Sequence, residues 1–228
     1  MTTSGTYTFD PTFPEIAIEA FGRINVMPSA ITPDHMLSFR RSVGYVQSQW
    51  SNKGVNLWTV NLVTQTLLQG VSTYNVDAST IMILDVYLRI AGTTTPTDRI
   101  MSAISRTDYA SIPNKTQQAP PTSYWFDRTI NPTITVWPAP DQTYEMRYYR
   151  QVQQQDGNAV GTMTADIPFR FQEAYAACLA AQLSLTWAKD LSPALLSYAK
   201  GVFDEAAAED RERVPLNMAP VTSGYWQS

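Results

Sequence analysis

The hydrophobic residues change their spacing twice along this chain of 228 residues. Before residue 55 they recur at helical spacing, most clearly in the stripe Met36, Phe39, Val43, Val46 and Trp50. Between residues 55 and 164 the period falls to two, as in β-strands, and afterwards the helical spacing returns. This order predicts an α+β protein in which a helical core domain of about four helices carries a β-rich antiparallel insertion.

Prolines and polar turn residues divide the chain into four parts. Residues 1–13 predict an extended N-terminal arm. Residues 14–54 and 165–213 predict the helical domain, and residues 55–164 predict the β-rich insertion domain. Residues 214–228 carry no charged side chain and predict an extended C-terminal arm.

Local signals predict where the helices of the first and last parts begin and end. The first helix is expected over 14–27, stopped by Pro28. Thr32 followed by Pro33 predicts the start of the second helix, and Gly54 predicts its end. The final helix is expected over 192–213.

Two strand features stand out within the insertion. Residues 82–90 alternate regularly, with Met82, Leu84, Val86, Leu88 and Ile90 on one face, which predicts one long half-buried strand. Residues 133–137 and 143–150 flank a segment with two prolines, 138–141, which predicts a β-hairpin.

The helix expected over 169–189 has no charge between Glu173 and Lys189, and its apolar positions go nearly all the way round. A helix that is apolar on every side is buried on every side. In a domain this small, we expect one of its neighbours to be another copy of the chain. The residues predicted at that subunit interface are Tyr175, Leu179, Leu183 and Trp187.

The sequence contains no glycine-rich phosphate loop, and it has one histidine, His35, and one cysteine, Cys178. No catalytic, cofactor-binding or metal-binding residue is therefore predicted. A net charge of −4 argues against binding nucleic acid by phosphate neutralisation. The longest uncharged apolar stretch, 174–188, is too short to span a bilayer and no secretory signal is evident, so we expect a soluble protein without a membrane partner.

The C-terminal arm contains apolar and aromatic residues that are common anchors of protein interfaces. They are Leu216, Met218, Tyr225 and Trp226. An uncharged segment with two prolines has too little surface of its own to fold, so this arm is either a docking segment or a frayed tail.

Four stretches together resemble one protein family. They are the two opening helices with residues 50–58 after them, the segment 64–76, the segments 124–127 and 134–149, and Asp166-Ile167-Pro168 followed by Leu191-Ser192-Pro193. In this combination the chain resembles the podovirus-type phage head-to-tail adaptor family, also called tail accessory factors or packaged-DNA stabilisation proteins. The family usually opens its third helix with an aliphatic residue followed by Pro-Pro-Gly-Tyr, whereas this chain has Ile167-Pro168-Phe169-Arg170-Phe171.

The resemblance implies a structural virion protein of the phage neck, assembled in the host cytoplasm. It implies a homo-oligomeric ring of twelve copies that joins the portal protein to a tail nozzle or tail tube protein. Double-stranded DNA would leave the head through the channel of this ring without sequence-specific binding, and the C-terminal arm would dock on the portal.

Two other functions stay open at this point. A virion-associated cell-wall glycosidase would need a pair of carboxylates, for which Asp85, Asp127 and Glu145 are the candidates. Another tail-completion or interaction protein would fit the same composition at a different place in the particle.

Overall fold

The computed structural model describes residues 5–54, 57–90, 96–157 and 163–210. Two helices come first, α1 (Phe13–Arg23) and α2 (Pro33–Lys53). The α1 start is a capping box, in which the backbone N–H of Thr12 donates to Glu15 Oε2 at 2.7 Å. α2 begins after Thr32 and ends at Gly54, whose φ of 73° is the left-handed conformation of a helix C-terminus, so the predicted bounds of this helix are confirmed.

The predicted length of α1 is wrong. The helix ends at Arg23 rather than continuing to Met27, because Asn25 adopts a positive φ of 63° that a helix cannot accommodate. Met27 is consequently 70% exposed and does not continue the apolar stripe of α1. Pro28 opens a short 3-10 turn instead of stopping the helix.

Eight strands and one short helix follow among the described residues of the insertion. The strands are β1 (Val60–Leu67), β2 (Thr73–Asn75), β3 (Thr80–Ile90), β4 (Thr97–Ile100), β5 (Ser102–Ala103), β6 (Ser123–Asp127), β7 (Thr133–Trp137) and β8 (Tyr144–Val152). The helix α3 (Arg106–Ser111) lies between β5 and β6. One sheet has the strand order β1-β8-β3-β4 and is antiparallel, and the other has the order β2-β7-β6-β5. The insertion is antiparallel as predicted except at β5 and β6, which pair in parallel.

The predicted hairpin between residues 133–137 and 143–150 is wrong. β7 pairs with β2 and β6, whereas β8 pairs with β1 and β3, so the proline-containing segment carries the chain from one sheet to the other. Ala139 in this segment hydrogen-bonds with the backbone at Gln117 and Ala119 instead of supporting a turn between neighbouring strands.

The predicted regular alternation of β3 is also interrupted. The pairing of β3 with β8 shifts register between Ile83 and Val86, and a bulge of this kind changes which face the following residues occupy. Ile83, Val86 and Leu88 are therefore buried, whereas Met82 and Leu84 are each 39% exposed. In β8, Tyr144, Met146 and Tyr148 share one face of the strand and are buried.

The two long helices of the last part are α4 (Gln172–Trp187) and α5 (Ser192–Glu209). α4 is the central helix, since α1, α2 and α5 all pack against it. α5 ends at Glu209, earlier than the predicted end at 213, and Asp210 is its C-cap; residues 211–213 lie outside the described residues. The α+β class is confirmed, with four helices in the helical part and the strands between them.

Two large hydrophobic cores organise the described elements, and a small cluster of Ala177, Ala181 and Ala199 joins α4 to α5. The helical core contains the α2 stripe and aromatic residues from the other helices, with Trp50, Phe171, Tyr175 and Phe203 at its centre. The second core lies between the two sheets and includes Leu67, Leu88, Ile134 and Met146. Hydrogen bonds join the parts, among them Trp58 Nε1 to the carbonyl of Asp166 at 3.0 Å and Gln47 Nε2 to the carbonyl of Gln155 at 3.0 Å.

Candidate interaction surfaces

Three of the four residues predicted at a subunit interface lie inside the chain's own core. Tyr175, Leu179 and Leu183 are 0 to 1% exposed, because α1, α2 and α5 surround α4. Burial also raises the pKa of Tyr175. The charge-free character of α4 is thus explained within one chain, and the assignment of these three side chains to a surface shared with another copy is corrected.

Trp187 differs from those three residues because it is 39% exposed at the C-terminal end of α4. Its ring lies 4.1 Å from the ring of His35, whose other side contacts Phe21 edge-on at 5.2 Å. His35, in the first turn of α2, therefore joins α1, α2 and the end of α4. The sequence signal for this was its position in the first turn, where Nδ1 accepts from the N–H of Thr32 at 3.1 Å.

The residues predicted as the portal-docking anchors lie outside the described residues. These are Leu216, Met218, Tyr225 and Trp226. The structure does show where the arm leaves the fold, because Asp210 follows α5 and its side chain is only 1% exposed. Asp210 accepts a hydrogen bond from Arg170, so the last described residue is held against the start of α4.

An open hollow of about 770 Å³ lies between the N-terminal segment, α1 and the start of α4. Its apolar lining includes Phe9 and Phe169, which are 69% and 76% exposed. Two of its charged residues form an ion pair: Arg23 donates to both carboxylate oxygens of Glu173 at 2.9 Å, and this contact lowers the pKa of Glu173. Exposed apolar side chains beside polar groups of this kind suit contact with a polypeptide.

The glycosidase candidates are not brought together. Asp85 and Glu145 belong to the first sheet, on β3 and β8, whereas Asp127 ends β6 in the second sheet. Glu145 is engaged with Arg147, whose Nε lies 2.5 Å from its carboxylate. None of the three lines the hollow beside α1, so this alternative gains no supporting geometry.

Other sequence features have ordinary structural roles. Cys178 is partly buried in α4, and burial raises the pKa of its thiol, which favours the less reactive protonated form. Within the described ranges, no cluster of three or more His, Cys, Asp or Glu side chains is arranged to hold a metal ion. No helix in the same ranges has the length and apolarity needed to cross a membrane.

Two helix faces that no sequence motif marks are exposed in the structure. The side of α2 opposite its core stripe presents Leu37, Arg41 and Gly44, and the outer side of α5 presents Gly201 and Asp204. The sequence signal for these faces is the set of residues at helical spacing opposite each apolar stripe.

Comparison with known proteins adds one finding to this geometry. A family model described as SU10 adaptor protein matches residues 41–224, which is most of the chain. The match includes most of α2, all eight strands, α4 and α5. A search of curated proteins finds no match. An adaptor of this kind is a structural virion component at the head–tail junction that interacts with portal and tail proteins. The chain belongs to the SU10 adaptor protein family, a family of structural phage proteins.

Proposed function

We propose that this chain is a head-to-tail adaptor of the podovirus type, which forms a ring of twelve copies between the portal and the tail nozzle or tail tube. The observation that carries this proposal is the family match over residues 41–224. The four stretches that resemble podovirus-type adaptors lie largely within the matched region and support the finer assignment. Double-stranded DNA would pass through the ring during ejection, and the net charge of −4 suits a channel wall that binds phosphates weakly.

The helical part, 14–54 and 165–213, is the proposed ring-forming domain, and 55–164 is the proposed insertion domain. Two observations support this division. Each part has its own hydrophobic core, and α4 gives the helical part a rigid centre. Trp187 is the one residue of the predicted interface set with a substantially exposed side chain, and we assign it to the contact between copies.

Residues 214–228 are the proposed portal-docking arm, with Leu216, Met218, Tyr225 and Trp226 as anchors. Two observations support this role. Residues 214–228 carry no charged side chain, and the buried Asp210 holds the chain at the point from which it continues toward the arm. An arm that orders only when the portal arrives loses its conformational entropy at that step, which makes assembly sequential. Assembly of this kind would take place in the host cytoplasm.

The docking role of the arm is tested with a shortened chain that ends after Arg213. We expect the shortened chain to keep the circular dichroism spectrum and melting temperature of the full chain, because the described core ends at Asp210. Its binding to purified portal, measured by co-sedimentation, should be lost. A full-length variant with Tyr225→Ser and Trp226→Ser should behave in the same way, while Ile130→Ser, at a 92% exposed position of the β6–β7 turn, serves as the control.

Two results would contradict the portal-docking role of the arm. One is portal binding by the shortened chain at the affinity of the full chain. The other is completion of infectious particles by that shortened chain in a phage that lacks the full-length protein.

A further inference from the structure

The outer face of α2 has no partner among the described residues, although its composition is not that of a solvated surface. Leu37, Arg41, Gly44 and Ser48 lie at helical spacing on the side opposite the buried residues Phe39, Val43, Val46 and Trp50, and all four are exposed. Leu37 is 52% exposed. No ion pair found in the described part of the chain includes Arg41 or the adjacent Arg40.

The outer face of α5 is complementary in charge. Ser197, Gly201, Asp204 and Ala208 are exposed at helical spacing, opposite the buried residues Ala199, Phe203 and Ala206. Glu205 lies next to Asp204 on the same exposed side. The described ion pairs leave Asp204 unpaired as well. α2 thus presents two arginines, and α5 presents two carboxylates, with Lys200 one turn before Asp204.

Each face also has a glycine in the middle of a long helix. A Cβ atom added to Gly44 or Gly201 would meet nothing within 4 Å, and neither residue has a positive φ. A glycine in a helix interior destabilises the helix relative to alanine. The fold of one chain therefore does not require these glycines, whereas the close approach of another helix would.

We propose that α2 of one copy packs antiparallel against α5 of the next copy, with the two helices crossing at Gly44 and Gly201. The sequence spacing indicates the antiparallel direction. Arg41 lies three residues before Gly44, whereas Asp204 lies three residues after Gly201, so the two charged residues meet only if the helices run in opposite directions. Arg41 faces Asp204 across the contact, and Arg40 and Glu205 lie at its two edges. On the far side of the crossing Ser48 faces Ser197, and at the open end of α2 the exposed Leu37 faces Ala208.

The parallel arrangement fits these faces poorly. It would place Arg41 beside Ser197 and Tyr198, and it would leave Asp204 and Glu205 beside Ser48. The two faces differ from each other, so the contact is heterologous, and repeated contacts of this kind close into a ring when the rotation allows. The inference rests on the proposed ring and deepens it by naming the surfaces that form it.

The direct test is disulfide cross-linking in full-length chains whose native Cys178 is replaced by alanine. A chain with both Gly44→Cys and Gly201→Cys, assembled on purified portal and mildly oxidised, should give a ladder of covalent dimers, trimers and larger species. Disulfide formation requires Cα atoms about 4.4–6.8 Å apart, which a crossing at these residues provides. Mixing the two single-cysteine chains should give dimers only, and each single-cysteine chain alone should give none.

The matched control replaces Gly44→Cys with Gly22→Cys, at an exposed glycine of α1 that also has open space around it. That control pair should give no ladder. Dimers formed by Gly44→Cys alone would overturn the head-to-tail arrangement. Multimers on the portal that never cross-link would overturn this inference and leave the proposed ring intact, while the absence of multimers would overturn both.

A charge-reversal series tests the register independently. The pair Arg40→Glu and Arg41→Glu should weaken self-association on the portal roughly tenfold or more, because like charges then face each other. The pair Asp204→Arg and Glu205→Arg should do the same, and the four changes together should restore association. Arg128→Glu, at an exposed site after β6, is the control and should have no effect. Failure of the combined variant to recover would contradict the register.

Discussion

Replacing Trp50 with alanine should remove a large share of the stability of the helical part. The side chain is 1% exposed, and its ring lies 5.4 to 5.5 Å from the rings of Phe171, Tyr175 and Phe203. Burial of about 200 Å² of a tryptophan at about 25 cal/mol per Å² amounts to about 5 kcal/mol, as an upper bound. Residual compactness of the unfolded chain lowers this by about 10–40%, so we expect a loss of about 3–4.5 kcal/mol.

The assay is urea unfolding followed by circular dichroism, with the free energy of unfolding taken by linear extrapolation. Trp50→Phe keeps an aromatic ring in the cluster and should cost about 1–2 kcal/mol. Tyr45→Ala is the matched control, since Tyr45 is a large aromatic residue of the same helix but is 57% exposed. Its effect should stay within about 0.5 kcal/mol.

A loss below about 1 kcal/mol for Trp50→Ala would contradict the central position of Trp50, because a fully buried aromatic side chain cannot be removed from a core at so little cost. An equal loss for Trp50→Ala and Tyr45→Ala would refute it as well, since the two residues would then not differ in burial.

Three further perturbations follow from particular contacts. Thr32→Ala removes the hydroxyl that accepts from the backbone N–H of His35 and should lower the free energy of unfolding by about 1 kcal/mol; no change would show that the cap is dispensable. Gly157→Ala places a Cβ 2.6 Å from Phe13 and Val43 and should cost about 1–3 kcal/mol, whereas Gly201→Ala meets open space and should stabilise the isolated chain by about 0.5–1 kcal/mol; equal effects in chemical denaturation would contradict both. Arg23→Gln removes the main cause of the lowered pKa of Glu173. The ion pair stabilises the fold when the pH is above the ordinary glutamate pKa of about 4.3, and this stabilisation is lost as the pH falls through the lowered pKa of Glu173. The stability difference between wild type and Arg23→Gln should therefore be below about 1 kcal/mol at pH 7, since Glu173 is half exposed, and should shrink below pH 4; a difference that grows on acidification would contradict it.

The parts of the fold that sequence predicts well are those set by local chemistry. Thr32, Pro33 and Gly54 define α2 because capping and the left-handed turn depend on residues within a few positions of each other. The inward face of β8 follows from simple alternation. In both cases the pattern and the structure depend on the same neighbours.

The failures arise where a distant part of the chain decides the outcome. Residues 133–150 have the local signature of a hairpin, yet β7 is held by β2 and β6, and β8 by β1 and β3. The bulge of β3 likewise depends on how β8 pairs with it. Nothing in the segment's own sequence reveals these partners.

The interaction surfaces likewise combine features that the local sequence predicts with features that it does not. The apolar character of α4 correctly predicts burial on nearly every side, but composition cannot distinguish neighbours from the same chain from those of another copy. Tyr175, Leu179 and Leu183 face the chain's own helices, whereas Trp187 and the outer faces of α2 and α5 are exposed. Adaptor function rests on the family match, since no local motif specifies it.

A cryo-electron microscopy reconstruction of the phage particle that carries this protein would locate it in the virion. We expect density for the helical part and its two-sheet insertion in a ring at the head–tail junction, in contact with portal on one side and tail on the other. The copies in that ring should contact each other through α2 and α5. Density for this fold at the distal end of the tail, or its absence from complete particles, would contradict the proposed head-to-tail adaptor role.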